Sequence, residues 1–126
     1  MSATTTNPHN QAMDLVEIAI LERTRGHDEK AVQLYAEALE LELAAIKELD
    51  ERGDQAEPTW SVLHRSAGWM AFNSNQFRRA EKLASRALAG DPHPEIAEEL
   101  RDLLEETYVR MRRKPKGVPV AETTDN

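Results

Sequence analysis

The chain has 126 residues, 40% hydrophobic and 31% charged, a balance that suits one globular domain with a modest core and excludes a disordered chain. It contains no cysteine, which excludes disulfide frameworks, thiolate zinc sites, iron–sulfur clusters and cysteine nucleophiles. The formal net charge of −7 repels a phosphate backbone, so nucleic acid is not an expected partner. That charge is unevenly spread: residues 14–57 carry −8, 58–94 carry +3, 95–109 carry −5 and 110–126 carry +3. An acidic face and a smaller basic one are expected. Residues 1–10 hold no Lys or Arg and no apolar core, so no secretory signal is read there. The longest apolar runs, 18–21 among them, fall far short of the ~20 residues of a membrane helix. The expectation is a cytoplasmic chain with no membrane partner.

Residues 1–10 are polar, with an Asn-Pro step, and are expected to be a flexible tail. Over 11–24, Ala12, Leu15, Val16, Ile18, Ala19 and Ile20 recur at helical spacing and predict a first helix, closed by Gly26. Asp28 offers an N-cap for a second helix over 28–52, which meets no breaker before Gly53. Its Leu, Glu and Ala content favours helix over strand. It carries two apolar stripes, one through Leu34, Tyr35, Ala38 and Leu41, the other through Val32, Leu39, Leu43 and Ile46. Neighbours on two sides, or a second copy of the chain, would be needed to cover both.

Gly53, Asp54 and Pro58 mark a loop, and a third helix is predicted over 59–73, ending in the turn cluster Asn73-Ser74-Asn75. A fourth helix over 76–89 turns Phe77, Ala80, Leu83, Ala84 and Ala87 inward and stops at Gly90-Asp91-Pro92. Pro94 opens a fifth, over 94–112, which buries Ile96, Leu100, Leu103, Leu104 and Tyr108. Residues 114–126 lack periodicity and are expected to be a second flexible tail. The fold class is therefore all-α, with five helices in a single domain over 11–113.

The window 61–94 is 34 residues long, and its small and closing positions are Gly68, Ala80, Ala87 and Pro92, with Phe77 opening its second helix. In this pattern the segment resembles a tetratricopeptide repeat. His64, Ala67, Ala71 and Ala84 stand where that family prefers larger residues. A looser copy is read over 12–45, with Ala19, Ala31, Tyr35 and Ala38 at the matching positions. The resemblance implies antiparallel hairpins in a right-handed superhelix, a capping helix from Pro94, and Gly68 at a close helix crossing. Over 12–52 the helix–Gly–helix order also suits a three-helix microtubule-interacting-and-transport module.

Chemistry leaves few marks. His9, His27, His64 and His93 are too scattered for a metal motif, the serines lie in no nucleophile elbow and no glycine-rich phosphate loop exists. The expectation is no enzyme, no metal and no cofactor. Arg78, Lys82 and Arg86 recur at i, i+4 and i+8 and could receive an acidic peptide, or the chain's own acidic helix. The resemblance further implies a groove lined by Val62, Arg65, Trp69, Phe72 and Asn73, with Met13, Val16 and Ile20. The partner-binding residues expected are thus Arg65, Trp69, Phe72, Asn73, Arg78, Lys82 and Arg86. They would serve a protein–protein adaptor that takes a peptide segment and favours an acidic one. The alternative is a homodimer formed through 28–52, and a small enzyme or metal protein comes third.

Overall fold

The computed structural model describes residues 7–112, and both expected tails lie wholly or mostly outside that range. Five helices follow one another: α1 (Pro8–Thr24), α2 (Asp28–Glu51), α3 (Thr59–Asn73), α4 (Phe77–Leu88) and α5 (Pro94–Met111). Among the described residues there is no strand.

The first helix begins three residues earlier than its periodicity predicts. Asn7 caps it by accepting the Asn10 N–H at 2.8 Å, and Pro8 sits at the first helical position, where its fixed φ suits the helix and its missing N–H costs nothing. The Asn-Pro step read as tail is therefore a start signal. At α2 the cap position falls to His27, which makes no side-chain cap bond, and Asp28 is already helical. Three helices end alike. His27 N–H bonds back to Glu22 and Gly26 N–H to Arg23; Asp54 and Gly53 repeat the pattern on Leu49 and Asp50, Gln76 and Asn75 on Ala71 and Phe72. This doubly bonded end needs a left-handed residue, supplied by Gly26 at φ 83°, Gly53 at φ 68° and Asn75 at φ 65°.

Each helix packs against the next in chain order, and α3 also meets α5. The core forms two clusters on either side of α3. One joins Ala12 of α1, Ala38, Leu39 and Ile46 of α2, Leu63, Ala67 and Met70 of α3 and Ala80 of α4. The other joins Ala84 and Ala87 of α4 to Ile96, Leu100 and Leu103 of α5. Alanines carry much of this core because close helix approach leaves little volume to fill. The surplus apolar surface expected on α2 is largely taken up within the chain: Ile46 is buried, and Leu41, Leu43 and Leu49 pack against the first cluster. Leu41, Leu43 and Leu49 stay partly exposed, so the chain itself covers much but not all of the apolar surface on α2.

Two expectations about packing need correction. Ile18 and Ile20 do not join the α1 stripe; they are 43% and 51% exposed, because α1 presents only its Ala12–Ala19 edge to the core. Gly68 is buried, but its close neighbour is not the hairpin partner α4. A Cβ built there would lie 2.5 Å from Leu103 Cδ2 of α5 and 3.9 Å from Leu83 Cβ of α4. The glycine makes room for the third helix of the group.

Candidate functional site

Two adjoining hollows open on one side of α3. One, about 380 Å³, lies between α3 and α5 and is lined by Arg65, Trp69, Glu99 and Asp102. The other, about 210 Å³, lies between α3 and α1, with Met13 and Val16 on one wall and Trp69, Met70 and Asn73 on the other. Arg65 and Trp69 border both, so the hollows form one groove centred on these side chains. Residues four apart on α3 share a face, which is why Arg65, Trp69 and Asn73 meet there.

Trp69 is half-buried, packing against the second core cluster while lining the groove. It meets Phe72 edge to face at 5.4 Å, and Phe72 meets Phe77 at 5.5 Å in the same manner. Phe72 lines neither of these hollows and borders a separate one with Arg23, Asp28 and Arg110, the Arg110 guanidinium lying 5.6 Å from its ring. Val62 packs against the second cluster and Ile20 borders neither hollow. The expected groove thus holds Met13, Val16, Arg65, Trp69 and Asn73 and releases the rest.

Two members are already engaged. Arg65 pairs with Glu99 across the groove mouth. Asn73 accepts from Arg23 Nη1 at 2.9 Å and donates to the Trp69 carbonyl at 2.9 Å, tying the end of α1 to the end of α3.

The basic residues of α4 part company. Arg79 donates to Glu40 of α2 at 2.9 Å, and Arg86 pairs with Asp50 of α2 at 2.9 Å, so the chain's own acidic helix takes both. Arg78 pairs with Glu81 one turn on, at 2.7 Å, and Lys82 is exposed. Neither Arg78, Lys82 nor Arg86 lines the groove. The expected selection for an acidic segment therefore has no uncompensated cation in the groove, whose charged lining is Arg65 paired with Glu99, and Asp102.

Arg86 belongs instead to a structural cluster that sequence reasoning missed. Its guanidinium lies 4.9 Å from the Trp60 ring centroid and 3.2 Å from His64 Nε2. His64, fully buried, donates Nδ1–H to the Trp60 carbonyl at 2.7 Å, and a guanidinium has only donors, so Nε2 accepts and the ring is neutral. Burial, aided by the Arg86 charge, holds the His64 pKa below its ordinary value. Trp60 Nε1 donates to Asp50 at 3.0 Å. Burial opposes the Asp50 carboxylate, but the Arg86 and Trp60 hydrogen bonds outweigh it and keep its pKa low. Only the Trp60–His64 spacing of four hinted at this cluster; Asp50 and Arg86 are far away in sequence.

A second unforeseen pair joins α1 to α2. Glu42 is fully buried, and His9 Nδ1 lies 2.9 and 3.0 Å from its two oxygens. Burial raises the Glu42 pKa despite hydrogen bonds from His9 and Ser66. Among the described residues no group of three His, Asp or Glu is arranged to hold a metal ion, and no helix is long and apolar enough to cross a membrane. Compared with known proteins, the chain matches no family model, and no curated protein or solved structure matches it significantly.

Proposed function

We infer that this chain is a non-catalytic, tetratricopeptide-like interaction module, an adaptor that binds an extended segment of a partner protein along α3. The observation that carries this reading is Trp69, half-buried and shared by two adjoining hollows. A tryptophan fixed by packing on one side and open on the other gives large contact area at low entropic cost, as interface hot spots do. The repeat reading is supported by the burial of every residue assigned to a small position, Ala19, Ala31, Ala38, Gly68, Ala80 and Ala87. The contact between the ends of α1 and α3 also suits stacked hairpins, whose first helices run side by side. Five successive helices exceed what a three-helix transport module would use.

The test is selection of ligands from a random peptide display library, followed by calorimetry. Trp69→Ala should weaken any groove-binding peptide by at least about tenfold, the cost of a modest hot spot. Peptides whose affinity survives Trp69→Ala and Arg65→Ala together would remove the site.

A further inference from the structure

The groove combines an apolar floor with an acidic rim, and that combination selects its occupant. Met13, Val16 and Trp69 form the floor. At the rim Glu99 is shared with Arg65, while Asp102 makes no ion pair among the described residues. A segment that fits must present cations beside aliphatic side chains. The sequence contains one such segment outside the described residues: Arg113, Lys114 and Lys116 are followed directly by Val118-Pro119-Val120. Residues 1–6, the other stretch outside the described range, carry no charged side chain.

We propose that the segment after α5 folds back along that helix and occupies the chain's own groove, with Lys114 and Lys116 at Asp102 and Glu99 and with Val118 and Val120 against Trp69, Met13 and Val16. The reach is sufficient. From Met111 back to Asp102 is nine helical residues, roughly 14 Å at 1.5 Å each, whereas residues 113–121 extended span about 30 Å. Pro119 favours the extended conformation that groove-binding segments adopt. Opposite charges at a rim fix register, and the valines supply burial. A partner segment then binds by displacement, and its best form is basic and aliphatic like the one it replaces. This rests on the groove being a binding surface.

The experiment treats the whole chain with a zero-length carbodiimide coupler, which joins a lysine to a carboxylate only in direct contact, and maps the product by mass spectrometry. The expected result is Lys114 or Lys116 joined to Asp102 or Glu99 in the monomer, its yield falling about tenfold in Val118→Asp/Val120→Asp as the apolar anchor is lost. The same double substitution should move the indole N–H resonance of Trp69 and leave that of Trp60, held by Asp50, in place. Coupling found only in a dimer, yields equal in both chains, or an unmoved Trp69 resonance would overturn the proposal. If instead library peptides bind through Trp69 while no such coupling occurs, only the self-occupancy fails; if coupling occurs and no peptide binds, the partner-binding reading fails alone.

Discussion

Gly68→Ala tests how α3 and α5 meet, and the geometry sets the sign. In a helix interior alanine is favoured over glycine by about 1 kcal/mol, so an open site would gain stability. Here the added methyl would stand 2.5 Å from Leu103 Cδ2, well inside van der Waals contact. Leu103 is fully buried among Leu100, Ile96 and Ala84, so its methyl cannot swing aside without moving neighbours. Overpacking of this kind typically costs 1–3 kcal/mol, which leaves a net loss of about 0–2 kcal/mol for the single variant. Gly68→Leu should cost more, because a whole side chain must enter the same space. Leu103→Ala alone opens a cavity and costs about 2–5 kcal/mol. In that background the clash is gone, and Gly68→Ala should turn stabilising by about 1 kcal/mol. Urea unfolding of the four chains therefore predicts a coupling of about 1–3 kcal/mol. If Gly68→Ala costs the same with and without the Leu103 side chain, the close approach of α5 is wrong, and with it the α3–α5 wall of the groove.

The remaining predictions concern the polar ties between helices. His64 is neutral when folded and its pKa is lowered, so its stability contribution is present above the ordinary histidine range and is lost as pH falls from there toward the folded value. Relative to His64→Gln, wild type should lose more stability between about pH 8 and about pH 5; parallel thermal curves would refute the neutral-ring assignment. His9→Ala leaves the buried Glu42 carboxylate short of a donor and should cost about 1–3 kcal/mol near neutral pH in chemical denaturation. The raised Glu42 pKa gives the opposite pH sign: that penalty should shrink as pH falls toward the ordinary carboxylate range, and a penalty that grows would sink the assignment. Asn7→Ala removes the α1 cap and should cost about 1 kcal/mol, whereas Asn7→Asp should retain the cap, both read from thermal midpoints.

Helix number and order were legible because each element is governed by local signals. Apolar spacing gave α3 its inward set, Gly26 and Gly53 marked two ends by supplying left-handed residues, and Pro94 marked a start. The one boundary misread by three residues, at Pro8, failed because Asn-Pro is ambiguous: it opens a turn as readily as it caps a helix. Packing depth was less legible. The apolar stripe of α1 reads as wide as that of a central helix, yet only part of it is covered, because a helix with few neighbours leaves a flank open.

What the sequence withheld is which charges find each other. On α4, Arg78, Lys82 and Arg86 read as a shared cationic face, but periodicity fixes only direction, not what stands opposite. The acidic α2 lies along that flank and takes Arg86 through Asp50 and Arg79 through Glu40, pairs 36 and 39 residues apart. Asp102 shows the converse. It reads as one solvated acid among several on a polar helix face, yet the meeting of α3 and α5 places it beside Trp69 at the groove mouth. Cations that read as free for an acidic partner tie α4 to α2, and acids that read as serving solubility line the groove mouth. The sign of the groove is thus a property of the tertiary fold, reversed from what the basic stretch 58–94 suggests when it is read alone.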